Sequence, residues 1–148
     1  MCLQLLQLKK ESFPIFRNLI HLELHPGLNI QWHLVIEMLN HCPKLESVMV
    51  HMPLEPYFCT SWICPQFGLE CIASELKRCA IFNYTGRTSE LQFAKYIMKH
   101  SRSLQAMIIH SITTGLNYSS SRQKKLEMLQ ELVMCPESSP NCKFFLKR

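Results

Sequence analysis

Aspartate is absent from this chain of 148 residues; all eleven acidic side chains are glutamate. That removes Asp-based catalytic triads, aspartyl nucleophiles and the aspartate ligands common in calcium and magnesium loops. It also leaves helix N-termini to be capped by Ser, Thr or Asn. Glycine is scarce: four isolated residues (27, 68, 86 and 115) cannot form a loop that cradles a phosphate. Long apolar runs are missing as well. Stretches such as Leu34–Ile36 and Met107–Ile109 fall far short of a membrane span, so no membrane partner is expected. The net charge of +5 is not concentrated. Small clusters at Lys9-Lys10, Arg122–Lys125 and Lys147-Arg148 read as solvated surface, and no nucleic-acid partner is expected.

The first residues carry their positive charges after the apolar ones, the reverse of a secretory signal, and no small-residue cleavage site follows. An intracellular protein, cytoplasmic or nuclear, is therefore expected. In such a compartment the eight cysteines, although even in number, are expected to be free thiols. Asn83-Tyr-Thr85 and Asn117-Tyr-Ser119 match the glycosylation pattern, but patterns this short recur by chance. What is present is a hydrophobic content of 47%, ordinary for a chain of one-domain size able to bury a core.

The apolar residues repeat. Leu19-Ile-His-Leu22-Glu-Leu24 has the form L-x-x-L-x-L, and the form returns at Leu45–Val50, Leu76–Ile81 and Leu104–Ile109. Starting positions 19, 45, 76 and 104 lie 26, 31 and 28 residues apart, close to the period of leucine-rich repeats. Between these strand-like hexamers lie helical patterns. Val35, Met38, Leu39 and Cys42 share one helix face within 32–42, which Pro43 ends. Leu91, Ala94, Ile97 and Met98 share another within 88–100, where Thr88 or Ser89 is expected to cap the start. A third stripe, Leu126, Leu129, Leu132 and Val133, lies within 122–135 and stops at Pro136. Residues 51–68, with Pro53, Pro56 and Pro65, read as a long loop, and 111–121 as a polar one. Cys142–Leu146 reads as a final strand.

Chemical sites are weakly supported by spacing. Cys59, Cys64, Cys71 and Cys79 contain no C-x2-C knuckle, and Cys79 falls on an expected strand as a small hydrophobe, so no metal is expected. His21 and His25 are four apart on a strand rather than a helix, which makes surface polarity the better reading than ligation. Met38, Met49, Met98, Met107, Met128 and Met134 mostly fall on the apolar stripes and read as core. No enzyme and no cofactor are expected.

The second half resembles a known family. Glu70-Cys-Ile-Ala-Ser-Glu-Leu76-Lys, Asn83-Tyr-Thr-Gly86 and Glu90-Leu-Gln-Phe93-Ala-Lys-Tyr96-Ile-Met-Lys99 are similar to the FBD domain, which ends a large family of plant F-box/leucine-rich-repeat proteins. Phe16-Arg-Asn-Leu19-Ile-His-Leu22-Glu-Leu24, Cys42-Pro-Lys-Leu45-Glu and Trp62 look like the last repeats before it. The resemblance spans residues 13–148. It implies that an N-terminal F-box docks on a cullin-type ubiquitin ligase while the repeats and FBD region engage the substrate. No F-box is present in these residues, and Gln66-Phe67-Gly68 replaces the usual Val-Pro, so a fragment or truncated member is expected.

The expected fold is α/β, built of leucine-rich-repeat-like strand–helix units with parallel strands and closed by an FBD-type C-terminal cap. Its expected parts are terminal repeat units over 1–58, a linker over 59–69 and the FBD domain over 70–148. The expected function is a non-catalytic protein-interaction module like the substrate-recognition tail of ubiquitin-ligase adaptors. The alternative is a structural cap for a longer array. A protein partner would be read by the x positions of the hexamers: His21, Glu23, Glu46, Ser47, Met49, Lys77, Arg78 and Gln105, with Ile20, Ala80, Ala106 and Ile108 beside them.

Overall fold

The computed structural model describes residues 2–4, 14–27, 29–54, 58–59, 75–111, 127, 130–131, 134 and 142–147. Its strands are β1 (Cys2–Gln4), β2 (His21–His25), β3 (Asn29–Ile30), β4 (Ser47–His51), β5 (Phe58–Cys59), β6 (Arg78–Tyr84), β7 (Ala106–Ser111) and β8 (Lys143–Lys147). The helices are α1 (Trp32–Asn40) and α2 (Thr88–His100). Six strands form one sheet in the order β1-β2-β4-β6-β7-β8, every adjacent pair parallel. The order is the order of the sequence, so each new strand is laid beside the last one. The short strands β3 and β5 pair separately, also in parallel.

Period-two alternation explains which way the sheet faces. Leu22, Leu24, Val48, Val50, Cys79, Ile81, Met107 and Ile109 are all buried and belong to one cluster with the helices. Val35, Met38, Leu39 and Cys42 join that cluster from α1 and the residue just past it, as do Leu91, Ala94, Ile97 and Met98 from α2. Trp32 at the start of α1 stacks on Phe93 of α2, ring centroids 4.8 Å apart. Helix α1 is buried beyond its expected stripe, with Trp32, Leu34 and Ile36 also enclosed.

Strands β2, β4 and β7 are entered by the same turn. Leu19, Leu45 and Leu104 donate their N–H to the carbonyl three residues back, at Phe16, Cys42 and Ser101. The next residue's carbonyl then accepts two N–H groups from the following unit. Ile20 O accepts from Glu46 and Ser47, Glu46 O from Lys77 and Arg78, and Lys77 O from Gln105 and Ala106. The repeated hexamer is thus a repeated geometry: its first Leu anchors the turn and its fourth and sixth residues are the inward strand positions.

Several expectations need adjustment. The strands begin two residues inside the hexamers and run past their ends, so His51 belongs to β4 and not to a loop. The final strand is Lys143–Lys147, one residue later than expected. Neither Thr88 nor Ser89 caps α2; the cap position is Arg87, and Glu90 in the first turn reaches back instead. Met134 is exposed at 82% and is not core, and Met49 is half-buried on the outer face. Of the third helical pattern, Glu127, Gln130 and Glu131 are helical and exposed, while the expected stripe at Leu126, Leu129, Leu132 and Val133 lies outside the described residues, as do the loop at 112–121 and the side chains of Cys59, Cys64 and Cys71. Between Ile81 and Tyr84 the β6–β7 register shifts. Asn83 sits there at φ 60°, a left-handed conformation that Asn tolerates better than most residues, and donates its side-chain N–H to Met52 O at 2.9 Å. Among the described residues no helix is long and apolar enough to cross a membrane.

Candidate functional site

Residues opposite the core alternate with the buried ones and stand on the other face of the sheet. Parallel register sets them in rows across the strands. One row runs His21, Ser47, Arg78, Ala106 and Lys143; the next runs Glu23, Met49, Ala80, Ile108 and Phe145. Ahead of these rows, at the edge where the strands begin, are Glu46, Lys77 and Gln105. Glu46 and Lys77 form an exposed ion pair at 3.4 Å.

Of the eight residues expected to read a partner, five belong to the outward rows and three stand at the edge where the strands begin. His21, Ser47 and Arg78 are in one row, Glu23 and Met49 are neighbours in the next, and Glu46, Lys77 and Gln105 line the edge. The edge between β6 and β8 is hollowed into a groove of about 640 Å³. Lys77, Arg78, Arg102 and Lys143 line it with Gln105 and Phe145, and among the described residues no carboxylate lines it. Lys77 is partly neutralised by Glu46; among the described residues Arg78, Arg102 and Lys143 have no ion-pair partner. The groove's field therefore favours an anionic group, and the Phe145 ring gives it one apolar wall.

At the opposite ends of the strands lies a feature that the hexamers did not reach. His25, His51, Phe82 and His110 form a ladder of stacked rings across β2, β4, β6 and β7. Their centroids are 4.5, 4.6 and 4.2 Å apart, and the planes lie within 11° of parallel. Each occupies the position just after a hexamer's last residue, so the signal was present in the sequence as a seventh repeat position. Glu23 lies against the ladder, with its Oε1 3.3 Å from His25 Nε2 and 2.7 Å from His51 Nε2.

Burial pushes the His51 imidazole below its ordinary pKa, helped by the charge of His25 and opposed by Glu23. Burial, with Lys147 nearby, lowers His110, and burial with Lys99 lowers His100. These bases take up protons more readily once unfolded, where His titrates near pH 6.5. Their contribution to stability is thus complete above about pH 6.5 and is lost as pH falls below it. Thermal melts in the presence of a chelator should show a lower midpoint at about pH 5.5 than at about pH 7.5, all else equal. A midpoint that is equal or higher at the acid pH would contradict the assignment.

Two thiols on the core side are inert for the same reason. Burial pushes Cys42 up to about 11 and Cys79 up to about 12, the latter helped by Cys142. Cys79 is fully enclosed and acts as a small apolar residue, as its place on the strand suggested.

Residues 65–109 match the FBD family model, a span that holds β6, α2 and most of β7. Over 149 residues the chain is 28% identical to an F-box/FBD/LRR-repeat protein of Arabidopsis thaliana, covering 97% of this chain and 34% of that one. It is 27% identical over 154 residues to a putative F-box/FBD/LRR-repeat protein of the same plant, covering 99% and 34%. A putative FBD-associated F-box protein, also from Arabidopsis, is 24% identical over 138 residues, covering 90% and 32%. The chain spans about a third of the length of these curated relatives. No solved structure matches. The FBD match and the similarity that runs through nearly all of its residues make the chain similar to plant F-box/FBD/LRR-repeat proteins.

Proposed function

We propose that the outward face of the parallel sheet is a protein-docking surface and that the chain is a non-catalytic recognition segment. In this reading residues 1–58 are leucine-rich-repeat-like units, 59–69 a linker and 70–148 the FBD domain. The whole protein would be a ubiquitin-ligase adaptor of the cytoplasm or nucleus, with a cullin-type ligase as partner where an F-box is joined to it. His21, Glu23, Glu46, Ser47, Met49, Lys77, Arg78 and Gln105 would contact the substrate, joined by Arg102, Lys143 and Phe145. The observation that carries this is the groove at the strand starts: several cations, an aromatic wall and, among the described residues, no lining carboxylate, on a face whose side chains stand in register. Such a groove fits an acidic segment of a protein partner.

Charge reversal tests it. The double variant R78E/K143E should lose roughly tenfold or more of its affinity for any protein the unaltered chain captures, since close interfacial charge pairs couple by about 1.5 kcal/mol and upward. K99E, on an exposed position of α2, should bind as the unaltered chain does. Capture compared by quantitative mass spectrometry, followed by titration of the recovered partner, reads both. Equal affinity for R78E/K143E would remove the groove from the interface.

A second reading, the segment as a cap closing one end of a longer array, is supported by the strand order. Strands added in sequence place β1 at one edge and β8 at the other, and a stack of repeats must be closed at its ends.

A further inference from the structure

We propose that Glu23, His25 and His51 form a binding site for one zinc-class divalent metal ion at the C-terminal ends of β2 and β4. The site goes beyond the docking surface and lies away from its basic groove. Glu23 and His25 are two apart on β2 and so project from the same face. Extending the β2–β4 register by one step brings His51 opposite His25, which the stacking of the two rings bears out. One ligand atom from each residue, a carboxylate oxygen and two imidazole nitrogens, lies within 4.8 Å of the others.

Ligand spacing and ligand type both favour a transition metal. Zinc holds imidazole nitrogen and carboxylate oxygen at about 2.0–2.1 Å, so two ligands of a tetrahedral ion are about 3.3 Å apart. The Glu23–His25 separation is already 3.3 Å. The Glu23–His51 separation of 2.7 Å is shorter than that and would open slightly around an ion. Two imidazoles with one carboxylate are poor ligands for magnesium or calcium and good ones for zinc and its neighbours. Three protein ligands also leave a fourth position for water or for a side chain of a bound partner.

The present contacts leave this cluster incompletely satisfied. His51 Nε2 is buried and makes no hydrogen bond, although the carboxylate is 2.7 Å away. Stacking of His51 between His25 and Phe82 holds the rings in place, which lowers the entropy to be lost when an ion is taken up.

Titration of the full 148-residue chain, stripped with a chelator, decides the matter. With zinc, calorimetry should show one saturable equivalent. With cobalt(II), the visible bands of a four-coordinate ion should appear without a thiolate-to-cobalt charge-transfer band in the near ultraviolet. H25A and E23Q should each weaken binding by roughly tenfold or more, while His33→Ala, on an exposed position of α1, should leave it unchanged. Far-ultraviolet circular dichroism establishes that each variant is folded; since His25 and Glu23 are both partly exposed, neither substitution removes core packing. No saturable uptake, uptake indifferent to both H25A and E23Q, or a thiolate charge-transfer band would each overturn the site, the last by assigning the metal to cysteines.

Discussion

Replacing Glu90 with alanine should lower the melting temperature by roughly 10 °C or more, or prevent folding outright. Its carboxylate is fully buried in the first turn of α2. One oxygen accepts the backbone N–H groups of Thr85 and Gly86 at 3.0 Å each and that of Arg87 at 3.3 Å; the other accepts the Thr85 hydroxyl at 2.8 Å. The side chain thus ends the turn after β6 and begins the helix in one gesture, with its charge at the positive end of the helix. Alanine leaves these donors without their acceptor, and each buried one left unsatisfied costs about 1–3 kcal/mol. A total on the order of 3–5 kcal/mol is a large part of the roughly 5–15 kcal/mol that holds a domain of this size. At about 2–4 °C per kcal/mol the shift is easily measured by circular dichroism. Glutamine, which keeps one acceptor oxygen, should fall between. An alanine variant melting within a few degrees of the unaltered chain would show that the carboxylate does not hold the turn.

Trp32→Ala should cost about 3–5 kcal/mol, the range for emptying a buried aromatic site. Trp32 is 1% exposed and is the residue through which α1 meets Phe93 of α2. Each helix belongs to a different strand–helix unit, with the unit of β4 between them, so this stack joins on the core side two units that the sheet does not pair directly. The pair itself should show a coupling of about 0.5–1.5 kcal/mol in a double-mutant cycle with Phe93→Leu. Urea denaturation reads both quantities. Additivity within experimental error would mean that the two rings are buried independently of each other.

The apolar pattern carried most of the fold because burial enforces it. A residue such as Val48 must face the core, and a one-residue slip would turn the whole strand over. Strand order followed from repetition, since similar units at similar spacing can only be laid side by side. Glu90 was harder to see. An acidic residue early in a helix suggested favourable interaction with its positive end, but not that it replaces the cap entirely; with no Asp available and Arg87 at the cap position, the carboxylate comes from inside the helix. The ring ladder was hidden for a different reason. L-x-x-L-x-L stops at the last buried position, whereas the strands continue, so the outward residues one step further, His25, His51, Phe82 and His110, fell outside the motif that would have aligned them. Glu23, His25 and His51 converge only after folding, because His51 comes from a unit 26 residues away from the one that holds His25. The basic groove likewise draws on β6, β7, β8 and the turn at Arg102, and no local spacing joins those.

Laying each strand beside its predecessor also separates two kinds of change the chain can undergo. The units differ in length, with hexamers starting at 19, 45, 76 and 104, yet their outward residues remain in register from β2 to β8. The differences in length lie between the strands. Insertions there leave the rows aligned, while a single substitution in a row alters the surface without disturbing the framework. A scaffold of this kind lets a lineage revise what its members recognise one side chain at a time.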